Sequence, residues 1–156
     1  MTRNPIDKSA NMPGVSLLLP VAYLLHLAEE WFGGFTGWTR AALGSEVSPG
    51  RFISINAVAF LIICTGILMG YRNKYLSWFC VSVAALFFLN GILHLIATFG
   101  MGLYSPGSIT GMFVYIPLSL WILRKMSAKL SAGIFIASIF AGILMHGLVA
   151  IIAFSG

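Results

Sequence analysis

Acidic residues are almost absent from this chain. It carries four, Asp7, Glu29, Glu30 and Glu46, among 156 residues, and all charged types together make up 8%. Soluble domains carry about 25%. With 59% hydrophobic residues and a mean hydropathy of +0.96, a water-soluble globule is excluded and an integral helical membrane protein is expected. Cysteine is scarce as well. Cys64 and Cys80 lie in apolar stretches and form no C-x-x-C or disulfide pattern, so they read as small core residues. The net charge of +5 comes from basic residues scattered in short loops, not interleaved with aromatics, which excludes a nucleic-acid face.

What is abundant is long apolar segments. Five reach spanning length, at about 14–32, 52–71, 75–99, 108–123 and 130–154. Continuous helices are expected because lipid satisfies no backbone hydrogen bond. The alternation of a membrane β-strand is not visible. The expected fold is therefore an all-α integral membrane bundle of five transmembrane helices, residues 14–156, after a cytoplasmic tail, residues 1–13. Pro20 predicts a kink in the first span, and Pro117 interrupts a short fourth span. The first span is read as retained: it carries His26, Glu29 and Glu30 and lacks a small-residue cleavage site.

Loop charge sets the expected orientation. Arg3, Lys8, Arg72, Lys74, Arg124, Lys125 and Lys129 fall on one side, and Arg40 and Arg51 on the other. The positive-inside rule then puts the N-terminus inside and the C-terminus outside, in the inner (plasma) membrane of a prokaryotic cell. Trp78 and Trp121 mark the inner boundary, and Trp31 and Trp38 the outer one. The segment 33–50, with five glycines and one proline, reads as an outer loop anchored in the interface by Phe35 and Trp38. In the last span Ser131, Gly133, Ala137, Ser138, Ala141 and Gly142 predict close helix packing, with a homo-oligomer through that face as one use.

Half of the acidic residues stand together in the first apolar span, as His26-Leu27-Ala28-Glu29-Glu30. A charge at bilayer depth costs roughly 2.5 to more than 10 kcal/mol, so partners, water or a metal must offset it. The i, i+3 and i, i+4 spacings let His26 face both glutamates, and Asn90 and His94 share a face of the third span. With Asn56 in the second span and His146 in the fifth, these groups fall at similar depth in the outer leaflet, while the inner half holds only a few hydroxyls. A shared interior chamber is expected. Arg51 marks the interface or pairs with Glu30.

The chain resembles the HXXEE-motif family of small prokaryotic membrane proteins, which shows H-x-x-E-E, a further histidine and Y-x-P-G. Here these are His26-Leu27-Ala28-Glu29-Glu30, His94 and Tyr104-Ser105-Pro106-Gly107. The resemblance implies an uncharacterised membrane protein, an enzyme or a transporter, and supplies no substrate. Pro-Gly makes a turn, Ser108 can cap the fourth span, and the helix start is either a plain cap or an anion or oxyanion site.

The leading expectation is a small membrane enzyme, hydrolase or isomerase, acting on a lipid-like or amphipathic molecule with a bound divalent metal, zinc or iron. The metal ligands are His26, Glu30, His94 and His146. Glu29 is the general base, with the two glutamates interchangeable, Tyr104 a proton or hydrogen-bond donor, and Asn56 and Asn90 substrate-orienting. A metal-free acid/base pair is a variant of the same site. The alternatives are a proton- or metal-ion-handling transporter and a structural membrane subunit.

Overall fold

In the computed structural model residues 11–155 are described. Arg3 and Lys8, on which the expected cytoplasmic tail rests, lie outside the described residues. Helices make up the fold, and no β-strand occurs among the described residues. Five helices are long and apolar enough to cross a membrane: Gly14–Phe32, Pro49–Arg72, Lys74–Met101, Ser108–Ser127 and Ala132–Phe154.

Local chemistry explains the boundaries. The second span begins at Pro49, not Phe52, because the Ser48 side chain accepts from the Arg51 N–H and proline suits a first helical position. Ser131 likewise caps the fifth span by accepting from Ile134 N–H, so that helix starts at Ala132. The fourth span runs on to Ser127, with Arg124 and Lys125 in a last turn whose free carbonyls favour cations. Pro20 produces no mid-helix kink. It stands at the start of the α-helix Leu19–Phe32, where a 3-10 turn, Gly14–Leu18, hands over to it. Pro117 follows a π-helical turn, Gly111–Tyr115, which accommodates the hydrogen bond that proline cannot make.

The third span is the axis of the bundle. Its Val81, Val83, Ala84 and Phe87 are fully buried with Leu19, Ile67, Ile122 and Met126 of the surrounding helices. Large apolar side chains such as Leu61, Phe113, Leu144 and Ile151 point outward, the surface a lipid-facing bundle presents. Packing in such a bundle relies on small residues. Gly142 shows why: a Cβ there would lie 2.2 Å from the Ser82 carbonyl oxygen. Ser82 Oγ in turn donates to the Ser138 carbonyl at 2.9 Å. Ser138 and Gly142 are thus used within the chain, against the third span, while Gly133 and Ala137 stay exposed.

The segment between the first two spans is not an irregular loop. Phe35–Leu43 forms a short helix between left-handed glycines, Gly34 and Gly44, and its end is tied back by Val47 N–H to Thr39 Oγ1 and by the exposed Arg40–Glu46 ion pair. Phe35 and Trp38 of this helix line the cavity described below.

Substituting Gly142 by alanine should lower stability in detergent by about 1–3 kcal/mol, as an overpacked contact does. Gly147→Ala on the same helix has open space and should be neutral. Thermal unfolding of the two variants side by side checks this.

Candidate metal centre

The end of the bundle that carries the short helix Phe35–Leu43 holds a cavity of about 410 Å³. Its walls are largely apolar, from Leu27, Ile55, Ala59, Ile63, Leu86, Leu93 and Ala150, with the short helix contributing Phe35 and Trp38. Polar side chains collect on it from four spans: His26 and Glu30, Asn56, Asn90 and His94, and His146.

Consecutive residues of a helix project about 100° apart, so Glu29 and Glu30 cannot face the same neighbour. Glu30 points into the cavity and is buried. Its Oε1 lies 3.5 Å from His26 Nε2 and 3.3 Å from His94 Nε2. The ligating atoms of His26, Glu30 and His94 all lie within 4.8 Å of one another. A charge-assisted N–H···O bond would be about 2.7–2.9 Å. Bonds of about 2.0–2.1 Å from zinc to nitrogen or oxygen set a tetrahedral edge at roughly 3.3–3.4 Å. The two separations from Glu30 Oε1 would suit ligands around a small cation, and His26 Nε2 is buried without a hydrogen-bond partner.

Glu29 points elsewhere. Its Oε1 accepts from Gly107 N–H at 3.0 Å, Ile109 N–H at 2.9 Å and the Tyr104 hydroxyl at 2.6 Å. Its Oε2 accepts from Thr110 N–H at 2.6 Å and Thr110 Oγ1 at 2.5 Å. The anion site at the start of the fourth span is therefore filled from within the chain, by a carboxylate on the first span. Ser108 does not cap that helix. Its hydroxyl donates back toward the His94 and Ser105 carbonyls.

This clamp reaches the histidines. A carboxylate only accepts, so the single Thr110 hydroxyl proton goes to Glu29. Thr110 Oγ1 must then accept from His26 Nδ1, 2.8 Å away. That puts a proton on His26 Nδ1, so that in the neutral ring Nε2 is the lone pair facing Glu30. His94 Nδ1 pairs with Ser105 Oγ at 3.0 Å, so both rings turn Nε2 toward the same carboxylate. Tying the far nitrogen to a hydrogen-bonding partner is how metal-ligating histidines are oriented.

The Y-x-P-G turn has a specific job. Gly107 has φ +105°, and a Cβ there would sit 2.8 Å from Cε1 of both His26 and His94. Only glycine lets the backbone approach both rings in that conformation. Pro106 packs against Gly33, next to the end of the first span. Tyr104 lies at the exposed side of the turn, where burial and then its bond to Glu29 push the phenol up to about 12, so it remains a donor at neutral pH.

Other expected residues take different places. Asn56 lines the cavity, but its Oδ1 accepts from the Tyr23 hydroxyl at 2.6 Å and its Nδ2 donates to the Phe52 carbonyl at 2.9 Å. Asn90 Oδ1 is buried and unpartnered. His146 lines the cavity from the fifth span without joining the His26–Glu30–His94 group. Arg51 does not pair with Glu30; it donates to the Ala153 carbonyl at 3.4 Å. Glu29, crowded by five donors and absent from the cavity lining, does not hold the free lone pair that a general base in this chamber needs. Two residues were not legible as site members. Tyr115, fully buried, stacks on His26 at 4.3 Å and on Phe87 at 4.0 Å, and Trp38 lines the cavity; neither the Tyr115 hydroxyl nor Trp38 Nε1 has a partner. Tyr23, one turn before His26, could have been found from spacing. Nothing in the sequence marks Tyr115.

A bundle of five membrane-length helices with a buried His–Glu–His group facing an apolar cavity defines a multi-pass membrane protein with a candidate metal centre. The chain belongs to the family described as "Protein of unknown function with HXXEE motif", matched over residues 17–122. Both motifs and His94 fall inside that region, and His146 outside it. No curated protein and no solved structure matches the chain.

Glu29→Gln should place an amide N–H₂ against at least one of these donors and lower stability by about 2–3 kcal/mol. The amides of Gly107, Ile109 and Thr110 should lose protection in hydrogen exchange, while those of the fifth span keep theirs.

Proposed function

We propose that the protein is a small membrane-embedded enzyme acting on a lipid-like substrate at one divalent metal, zinc or iron, in the prokaryotic inner membrane with its N-terminus inside. His26, Glu30 and His94 would hold the metal. The observation that carries this reading is the spacing of their three ligating atoms with both Nδ1 atoms tied back. Two imidazoles and one carboxylate suit either ion and leave coordination positions open. A metal held there supplies Lewis acidity to a substrate oxygen. The chain's own contribution is to fix the imidazoles, exclude bulk water with Phe35 and Trp38, and orient the substrate from Asn90 and the neighbouring wall.

Glu29 is a positioning residue in this reading: it orients His26 through Thr110. Glu30 is a ligand. The roles of the two glutamates are thereby separated by geometry. Transport is less well supported, because the helices below the cavity meet through buried apolar side chains, Leu19, Ile67, Val83 and Phe87, with no ionisable relay among them.

Gently purified protein should carry about one zinc or iron per chain, measured by elemental mass spectrometry. Glu30→Gln and His94→Ala should reduce this to background. Glu29→Gln should weaken metal affinity about 10–100-fold, as loss of an outer partner does. Folded wild-type protein that neither retains nor takes up stoichiometric metal would rule the reading out.

A further inference from the structure

One turn inward from the metal-binding group lies a second, uncharged tier of polar side chains. Tyr23 is three residues before His26, Asn90 is four before His94, and Tyr115 stacks beneath the His26 ring. Tyr23 and Asn56 satisfy each other. Asn90 Oδ1 and the Tyr115 hydroxyl do not: both are buried, both residues line the cavity, and neither atom has a partner. Leaving a buried polar group unpaired costs about 1–3 kcal/mol, so the pair is arranged for something that enters. Tyr115 is held by stacking on both faces and cannot easily turn its hydroxyl elsewhere.

The geometry points to a neutral, single-chain amphiphile whose polar group both accepts and donates a hydrogen bond, a hydroxyl or an amide, bound between Tyr115 and Asn90. The inference rests on the cavity being the substrate site proposed above. Three observations restrict the ligand. The tyrosine hydroxyl can donate and the asparagine carbonyl can only accept, so the bound group must do both. No lysine or arginine lines the cavity among the described residues, and the Glu30 carboxylate does, so an anionic headgroup finds no side-chain cation there and meets a like charge. At about 30 Å³ per water-sized group, a cavity of about 410 Å³ takes roughly 13 or 14 such groups, one chain and not two.

Photolabelling tests this in nanodiscs, with a diazirine-bearing 1-dodecanol as probe. Cross-links should map to the cavity walls of the second and fifth spans. Unlabelled 1-dodecanol and dodecanamide should compete. Dodecyl methyl ether, which cannot donate, and dodecanoate, which is charged, should compete at least several-fold less well. Tyr115→Phe, which keeps the stacked ring, and Asn90→Leu should each weaken competition by roughly three- to tenfold. Metal content, measured on the same samples, separates the two readings. Normal selectivity in protein without metal would sink the metal centre and leave the ligand class standing. Equal competition by dodecanoate or the ether, unchanged affinity in both variants, or labelling confined to the outer surface would overturn the ligand class whatever the metal content.

Discussion

The carboxylate of Glu29 on three free N–H groups at the start of the fourth span is the interaction on which the cavity end of this protein depends. A helix that starts inside a membrane exposes N–H groups that lipid cannot satisfy. Here a neighbouring helix satisfies them, with three backbone and two hydroxyl donors on one side chain. The same contact joins the first and fourth spans and fixes the turn that carries Gly107. Through Thr110 it also sets the tautomer of His26. Cap, helix packing and imidazole orientation are one structure, so the second glutamate is released for a different task.

That task is defined by low polarity. Glu30 sits against two imidazoles among apolar side chains, where a lone carboxylate would be costly. The ring nitrogens do not close into short hydrogen bonds with it. They stand 3.5 and 3.3 Å from its Oε1, and the turn Tyr104–Gly107 packs against both rings. Above them the short helix Phe35–Leu43 shields the chamber. Glu30, Phe35 and Phe52 also border a smaller cavity of about 220 Å³, so the carboxylate lies between two cavities.

Much of the architecture was legible because membrane-length apolar runs leave few options. The five spans, the packing role of Ser138 and Gly142, and the joint orientation of Asn90 and His94 follow from hydropathy, residue size and helical period. What could not be read was direction at the helix ends. Trp38 has the composition of an interface anchor and lines the cavity, because the segment around it folds into a helix closed by Thr39 and Glu46. Asn56 has the chemistry of a substrate contact and is consumed by Tyr23. Arg51 lies near Glu30 in depth and binds a carbonyl of the last span.

The sequence by itself determined the membrane-spanning class, the family and the set of side chains able to do chemistry, since those follow from composition and from spacing along single helices. Only the tertiary structure decided which of two adjacent glutamates serves the cavity and which serves a helix start. Neighbouring residues diverge by a fixed angle on one helix, and what each meets depends on where the fourth span begins and how closely its glycine turn approaches the two histidines. That is a relation between helices, and no spacing within one of them encodes it.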